Sequence, residues 1–274
     1  MRIIQEQVYT VDMNWSEHTS TIELLYAYGV IPVASFGSAD TAHDCAAALA
    51  TGGLPILEVT FRTAEAVQAI RAVQNAHPEI LLGAGTLTTE AQLRAAVDAG
   101  AQFLVSPGLD EELAAAAEQC GVPYIPGVST ASEVQRAAKL GIDVLKFFPA
   151  EAAGGPKAIK ALAAPFPNAR FIPTGGISEG NIRSYLGQSS VIACGSSFPV
   201  ASDLIASRNF EEVARRAGRM LALIHGMSFD SEGRLHAGTV DPGRTRHYFS
   251  ARGTETHGRS GFRVSGALQL PDLP

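Results

Sequence analysis

The chain has 274 residues, of which 46% are hydrophobic and 18% are charged. That balance excludes a disordered chain and is typical of a globular protein with a large core. The formal net charge of -6 argues against a general nucleic-acid-binding protein, which usually carries a basic patch, but it leaves room for a local basic pocket.

Eight short apolar runs recur along the chain, and their starts lie roughly 20 to 27 residues apart. Several runs are continuously apolar rather than alternating, which is typical of parallel strands that are buried on both faces. The predicted strands cover residues 30–35, 56–60, 81–84, 103–106, 124–126, 144–148, 171–174 and 191–195.

Ala-rich segments with helical periodicity follow these strands. The predicted helices cover residues 40–51, 63–75, 89–99, 110–119, 130–140, 157–162, 179–186 and 210–225. The predicted capping residues are Asp40, Thr63, Thr89, Asp110, Thr130 and Ser178, and the predicted stops are Gly52, Gly100, Gly121 and Gly141. Strand then helix, repeated eight times, predicts an α/β fold of the (β/α)8 TIM-barrel type over residues 20–227.

The segments on either side of this predicted barrel have a different character. Residues 1–19 mix charged and apolar residues and lack the apolar stretch of a signal peptide. Residues 228–274 are rich in Gly, Ser, Arg and His without periodicity, so we expect a disordered or loosely attached tail; a tail that binds a partner or covers the active site is the alternative. No apolar run is long enough to span a membrane. Three scattered cysteines without a CxxC pair favour a reduced, cytoplasmic protein.

Two charged residues stand at the end of the second predicted strand, in the motif LEVTFR. The active site of a (β/α)8 barrel lies at the carboxyl ends of its strands. Glu58 lies inside the apolar run, where a carboxylate is costly unless it is paired or functional. We interpret Glu58 as a general acid/base and Arg62, at the rim, as an anion-binding group. A structural ion pair between Glu58 and Arg62 is the alternative.

The sixth predicted strand carries a lysine in an apolar setting. The chain has four lysines, and Lys146 is the one that lies outside the helical patterns, within the run VLKFF. A buried amine must be paired or lose its charge, and an uncharged amine is a nucleophile that can form a Schiff base. A purely structural pair with Glu58 is the alternative, and such pairing would not exclude catalysis.

The last two strands end in the motifs PTGGIS and CGSSF. These motifs offer backbone N–H groups, hydroxyls and a helix start at the place where (β/α)8 barrels commonly bind phosphate. The third strand ends in GAGTL, where Gly83 and Gly85 would allow a ligand to approach the backbone closely and Thr86 offers a hydroxyl. Because Thr88 stands where a dinucleotide fingerprint needs glycine, we reject a Rossmann interpretation.

Metal and nucleotide chemistry is not favoured by the sequence. None of the seven histidines ends a predicted strand, and no two of them have the spacing of metal ligands. A zinc-dependent class II aldolase is therefore not expected. The motif GxxxxGK[ST] is absent as well, which argues against hydrolysis of a nucleoside triphosphate.

Taken in order, the strand ends resemble the 2-keto-3-deoxy-6-phosphogluconate (KDPG) aldolase family, which also acts on 4-hydroxy-2-oxoglutarate (KHG). The matching motifs are LEVTFRT, GAGTL, FLVSPGL, PYIPGVST, LKFFPAE, FIPTGGIS and CGSSF. The resemblance covers roughly residues 20–225. It implies a class I aldolase, which is a carbon–carbon lyase that needs no metal or cofactor, and it implies a cytoplasmic homotrimer.

The resemblance also implies a role for each residue that matches a family motif. Lys146 would form the Schiff base with pyruvate or the keto acid, and Glu58 would move protons through water. The carboxylate would contact Arg62 and Thr86, the phosphate would contact Thr174, Gly175, Gly176 and Ser197, and Pro107 and Phe148 would line the pocket. The products from KDPG would be pyruvate and D-glyceraldehyde 3-phosphate.

Two positions bear on the substrate. Relatives that act on the galactonate epimer have an apolar residue where this chain has Thr174, so the resemblance favours the gluconate substrate. Ser196 stands where the family often has glycine, and its Cβ is expected to crowd the phosphate. A KHG aldolase that yields pyruvate and glyoxylate is therefore an alternative. A non-catalytic sugar-phosphate-binding barrel and a phosphate-binding isomerase, in which Lys146 acts only through its charge, are two further alternatives.

Overall fold

A computed structural model of the chain describes residues 19–229 and 235–237, and parallel strands with helices between them make up most of this part. The strands are β1 (Val30–Ala34), β2 (Ile56–Thr60), β3 (Leu81–Gly85), β4 (Phe103–Val105), β5 (Tyr124–Ile125), β6 (Gly127–Val128), β7 (Val144–Phe147), β8 (Arg170–Pro173), β9 (Cys194–Ser196), β10 (Met227–Phe229) and β11 (Leu235–Ala237). The helices are α1 (Thr19–Tyr28), α2 (Ala39–Thr51), α3 (Ala66–Ala76), α4 (Glu90–Asp98), α5 (Glu111–Cys120), α6 (Ala131–Lys139), α7 (Gly155–Ala163), α8 (Ile182–Leu186), α9 (Ser202–Ala206) and α10 (Phe210–His225).

Strands β1 to β9 close into a ring. Parallel pairing runs in the order β5-β4-β3-β2-β1-β9 and then β6-β7-β8. β5 and β6 are two halves of one strand, separated by Pro126, which has no N–H group to donate to a ladder. Bridges from Phe171 to Val191 and from Thr174 to Gly195 join β8 to β9. The predicted (β/α)8 barrel is therefore confirmed, and its strand ends meet at one mouth.

The barrel interior is filled by side chains from strands that are buried on both faces. All five residues of β2 and all five of β3 are buried, as are the four of β7. The ring of Phe103 on β4 lies over Gly83 on β3, at the place where a Cβ on Gly83 would have to sit. The continuously apolar runs in the sequence therefore correspond to a packed core.

Three of the predicted helix starts are wrong. Helix α2 is capped by Ser38, whose side chain accepts a hydrogen bond from the Thr41 N–H group, so Asp40 lies in the first turn. The hydroxyl of Thr63 donates to the Phe36 carbonyl oxygen at 2.8 Å instead of capping a helix, and α3 begins at Ala66. Helix α8 begins at Ile182, four residues beyond Ser178. The predicted caps Thr89, Asp110 and Thr130 are confirmed.

The structure contains several elements that the sequence patterns did not predict. Helix α1 precedes β1, and the short helix α9 lies between β9 and α10. Strands β10 and β11 pair in antiparallel fashion across the predicted barrel boundary at residue 227. Residues 1–18, 230–234 and 238–274, which include most of the predicted N-terminal segment and tail, lie outside the described residues. Within the described ranges, no helix combines the length and apolar character needed to cross a bilayer.

The contact between Phe103 and Gly83 predicts a stability defect. Gly83→Ala places a methyl group where the buried ring lies, so we expect the free energy of unfolding to fall by about 1–3 kcal/mol in urea titrations. Gly37→Ala is the matched control, because nothing lies within 4 Å of a Cβ built there. Equal stability of the two variants would contradict this packing.

Candidate active site

A lysine and a glutamate meet across the interior of the barrel. Lys146 on β7 and Glu58 on β2 lie on opposite sides of the strand ring, with 3.7 Å between Lys146 Nζ and Glu58 Oε1. The two residues are only 5% and 2% exposed. In the part of the chain that the structure describes, Arg62 forms no ion pair, so the alternative of a Glu58–Arg62 pair is wrong. Lys146 and Glu58 form the pair instead.

The carboxylate of Glu58 is incompletely satisfied. Its Oε1 atom is buried and has no hydrogen-bond partner among the described residues. The separation of 3.7 Å from Lys146 Nζ is too long for a direct hydrogen bond. Leaving a buried acceptor unpaired costs about 1–3 kcal/mol. A hydroxyl group placed between the amine and the carboxylate can bond to both, so the pair suits a ligand that carries one.

A glycine on the neighbouring strand makes room for this carboxylate. A Cβ on Gly85 would collide with Glu58 Oε1. The prediction that Gly83 and Gly85 admit a ligand is wrong, because side chains of the protein occupy both spaces: the Phe103 ring at Gly83 and the Glu58 carboxylate at Gly85. The glycines of β3 therefore shape the interior by leaving space for neighbouring strands.

Phe148 connects the amine to the loop after β8. Lys146 Nζ lies 5.1 Å from the centroid of the Phe148 ring, within the range of a cation–π contact. A Cβ built on Gly175 would lie 3.5 Å from the same ring. Phe148, which was predicted to line the pocket, therefore has the Lys146 amine near it on one side and the glycine loop near it on the other.

The loop after β8 has its carbonyl groups tied down. The Ala150 N–H group donates to the Thr174 carbonyl oxygen at 2.8 Å, and the Glu151 N–H group donates to that of Gly175 at 3.1 Å. The side-chain Nδ2 of Asn181 donates to the Gly176 carbonyl oxygen at 2.8 Å. These three bonds fix three successive peptide units of the loop.

Fixing these carbonyl oxygens also sets the direction of the N–H groups in the same peptide units. In a planar trans peptide the N–H group points away from the carbonyl oxygen. The N–H groups of Gly176 and Ile177 accordingly point the other way and donate no hydrogen bond to the described residues, whereas the Gly175 N–H group faces the Gly195 carbonyl oxygen in the bridge between Thr174 and Gly195. Gly175 and Gly176 have φ values of 102° and 81°, which glycine adopts without strain. The two successive free donors of Gly176 and Ile177 can form a nest for an anion.

These donors belong to a loop and not to a helix end. Helix α8 begins only at Ile182 and has five residues, so the predicted contribution of a helix start to this site is wrong. Thr174 is buried at the base of the loop and packs on Gly195, where a Cβ would collide with the Thr174 hydroxyl. Ser197 is exposed directly after β9, whose Gly195 is bridged to Thr174. The predicted phosphate-site residues are thus gathered at the ends of β8 and β9.

The other predicted site residues also follow strand ends. Arg62 and Pro107 are exposed after β2 and β4. Thr86 follows β3 and is half-buried with a φ of 60°, a left-handed conformation that costs energy for a β-branched residue. The arrangement brings the amine of Lys146, the carboxylate of Glu58, the guanidinium of Arg62 and the glycine loop after β8 to the same mouth of the barrel.

The loop that carries Pro107 is braced by a pair of hydroxyls. Ser106 Oγ lies 2.6 Å from the Gly108 carbonyl oxygen, to which it donates, and 2.6 Å from the hydroxyl of Tyr124 on β5. Desolvation by burial raises the pKa of Tyr124 to about 12. A Cβ on Gly127 would collide with the Pro107 backbone, so β6 passes directly beneath this loop.

Two contacts near the anion nest were not predicted from the sequence. The buried Tyr185 hydroxyl donates to Glu151, and burial together with that carboxylate raises the pKa of Tyr185. Asn181 bonds both the Gly176 carbonyl and the Ser178 N–H group. An Asn three residues after Ser178 is a local signal for such a turn, whereas nothing in the sequence pairs Tyr185 with Glu151. Within residues 19–229 and 235–237, no three side chains of the kinds that bind metal ions cluster together.

Comparison with known proteins identifies close relatives of the chain. The model of the family described as "Aldolase: KDPG and KHG aldolase" matches residues 22–216. The KHG/KDPG aldolase of Escherichia coli (strain K12) is 44% identical over 204 residues, which make up 74% of this chain and 95% of that protein.

Solved structures give the same match. The KDPG aldolase of Legionella pneumophila, with pyruvate captured at low pH as a covalent carbinolamine intermediate, aligns with a TM-score of 0.71 and 38% identity over 73% of this chain and 97% of that one. The 2-keto-3-deoxy-6-phosphogluconate aldolase of Zymomonas mobilis ZM4 with 3-phosphoglycerate aligns with a TM-score of 0.64 and 35% identity over 73% and 96%.

The raised pKa of Tyr124 predicts how stability depends on pH. An unfolded tyrosine loses its proton near pH 10, whereas folded Tyr124 keeps it until about pH 12. The folded state therefore holds more protons in that window, and the free energy of unfolding falls as the pH rises. We expect the stability advantage of the wild type over Tyr124→Phe to be complete below pH 10 and to shrink up to pH 12 in urea titrations. A constant advantage would argue against a buried neutral phenol.

Proposed function

The chain belongs to the KDPG and KHG aldolase family, and from this premise we propose that it is a class I aldolase that cleaves 2-keto-3-deoxy-6-phosphogluconate to pyruvate and D-glyceraldehyde 3-phosphate. One observation carries the proposal: the buried amine of Lys146 is held 3.7 Å from a carboxylate oxygen of Glu58 that has no hydrogen-bond partner among the described residues. Imine catalysis requires such a nucleophile together with such a base.

The reaction begins with a covalent bond between Lys146 and the substrate. Lys146 first gives up a proton to Glu58, and the neutral Nζ then attacks the C2 carbonyl carbon of the keto acid to form a carbinolamine, which loses water to give a protonated imine. Glu58 is the group that moves protons at this stage, because its Oε1, which has no hydrogen-bond partner among the described residues, lies 3.7 Å from the amine. The pyruvate captured by the Legionella pneumophila relative as a carbinolamine supports this step.

Cleavage follows from the electron demand of the imine. Glu58 removes the proton of the C4 hydroxyl through water, the C3–C4 bond breaks, and its electron pair moves into the imine to form an enamine. Glyceraldehyde 3-phosphate leaves as the aldehyde. The enamine takes a proton at C3, and water hydrolyses the resulting imine to release pyruvate and the free amine. The imine supplies the electron sink, so the reaction needs neither a metal nor a cofactor.

The two ends of the substrate are anionic and find different partners. The keto-acid carboxylate is held by Arg62, whose guanidinium is exposed after β2, and by the hydroxyl of Thr86. The phosphate is held at the N–H group of Gly176, with Thr174, Gly175 and Ser197 beside it. The 3-phosphoglycerate in the Zymomonas mobilis structure supports a phosphate-bearing ligand.

The proposal includes the biological setting expected from the family. The partner is a small keto-acid phosphate, with no nucleic acid or membrane, and the protein is a cytoplasmic homotrimer. The three cysteines, all within the described part of the chain, form no disulfide bond, which supports a reducing compartment. KHG cleavage to pyruvate and glyoxylate is the second candidate, since the Escherichia coli relative is named for both substrates.

Trapping of the imine tests the nucleophile. Incubation with pyruvate followed by sodium borohydride should leave a stable adduct on Lys146, found by mass spectrometry of the digested protein, because reduction converts the imine to a secondary amine. Lys146→Ala should give none, and Lys157→Ala, which removes an exposed lysine of α7, should react like the wild type. A folded wild type without an adduct would rule out the class I mechanism and return the isomerase and binding-only alternatives.

Replacement of the carboxylate separates bond formation from proton transfer. Glu58→Gln keeps the shape of the side chain but removes its basicity, so kcat for KDPG cleavage should fall by about 10²- to 10⁴-fold. Prolonged incubation with pyruvate should still allow an adduct on Lys146 to be trapped. Glu79→Gln, at an exposed carboxylate, serves as the control. A kcat within twofold of the wild type in Glu58→Gln would remove Glu58 from the proton-transfer role.

A further inference from the structure

Ser196 is a buried residue whose hydroxyl joins the ends of β8 and β9. It is 2% exposed, and its Oγ donates to the carbonyl oxygen of Ile177 at 2.7 Å. The same Oγ accepts a hydrogen bond from the Phe198 N–H group at 3.1 Å. A hydroxyl has one proton and can accept as well, so both bonds form at once. One side chain therefore holds the loop after β8 and the loop after β9 together.

The hydrogen bond from Ser196 to the Ile177 carbonyl is the last in a series that fixes the carbonyl groups around the anion nest. The carbonyl groups of residues 174–176 accept hydrogen bonds from the N–H groups of Ala150 and Glu151 and from the side chain of Asn181. The Ile177 carbonyl shares a peptide with the Ser178 N–H group, and that N–H donates to Asn181 Oδ1 at 2.9 Å. Ser196 and Asn181 thus hold one peptide unit from its two ends, immediately after the free N–H group of Ile177.

The bond to Phe198 acts on the other half of the site. Ser196 Oγ spans Ser197 to reach the Phe198 N–H group, which is the local hydrogen bond of a serine turn. The turn leaves Ser197 exposed between two anchored neighbours. The position of Ser197 relative to the nest is therefore set through the Ser196 hydroxyl.

We propose that Ser196 is a positioning residue that fixes the two halves of the phosphate site, the nest of Gly176 and Ile177 and the side chain of Ser197, relative to each other. This inference rests on the proposed function. Ser196 acts through its neighbours and does not contact the substrate. Its buried side chain points to Ile177, which opposes the expectation that its Cβ weakens phosphate binding by crowding. Lys146 and Glu58 lie on β7 and β2, so loss of the hydroxyl leaves their 3.7 Å approach in place.

Kinetics on two substrates separate this role from a general structural one. KDPG carries a phosphate and KHG does not, so Ser196→Ala should raise KM for KDPG roughly five- to tenfold. We expect kcat for KDPG and both constants for KHG to stay within twofold of the wild type. The inhibition constant of inorganic phosphate, measured against KHG cleavage, should rise by the same factor as KM for KDPG. Ser207→Ala, which removes an exposed hydroxyl that donates to the Asp203 carbonyl, is the matched control.

The outcomes distinguish the inference from the proposed function. A wild type that is insensitive to phosphate and prefers KHG overturns the phosphate site itself, and the positioning role with it. A phosphate-sensitive wild type with unchanged constants in Ser196→Ala, or with equal losses on both substrates, overturns the role of Ser196 alone. If Ser196→Ala does not fold, Asn181→Ala releases the other end of the same peptide and must show the same selective rise in KM; unchanged constants there overturn the proposal.

Discussion

Two opposite charges buried across the interior of one barrel constrain the rest of this structure. Removing either ion from water costs several kcal/mol, so neither residue is tolerable there without the other. Lys146 and Glu58 come from strands on opposite sides of the ring, and they approach each other only when the barrel closes. Their separation of 3.7 Å is also too long for a direct hydrogen bond between the amine and the carboxylate. The fold thus stabilises the charges enough to keep them buried but leaves them able to engage a substrate.

The strand next to Glu58 shows how the interior is divided between packing and chemistry. Gly83 receives the ring of Phe103 from one neighbouring strand, and Gly85 receives the Glu58 carboxylate from the other. Within one five-residue strand, Gly83 therefore leaves space for an apolar layer and Gly85 leaves space for a polar layer. The polar layer lies nearer the carboxyl ends of the strands, which is where the loops with the anion nest and Arg62 begin.

Much of this arrangement was predictable because its signals are local. Continuous apolar runs marked the strands, and Lys146 stood out as the lysine inside such a run. What could not be predicted depends on contacts between distant segments. The hydroxyl of Thr63 has the same local appearance as a helix cap but binds the Phe36 carbonyl. Ser196 appeared as an obstacle to phosphate because the sequence does not reveal that its Oγ reaches the Ile177 carbonyl, 19 residues earlier.

The tied loop after β8 means that the donors of the proposed anion site are main-chain groups. Every residue except proline carries an N–H group, so few side-chain substitutions at positions 176 and 177 can delete the donors themselves. No side chain at these positions titrates either, so the proposed site keeps its donors across the physiological pH range. Affinity can then be adjusted from a distance, through the residues that hold the carbonyls, without altering a single atom that meets the ligand. The binding groups of such a site come from the main chain, whereas their alignment depends on side chains elsewhere in the sequence.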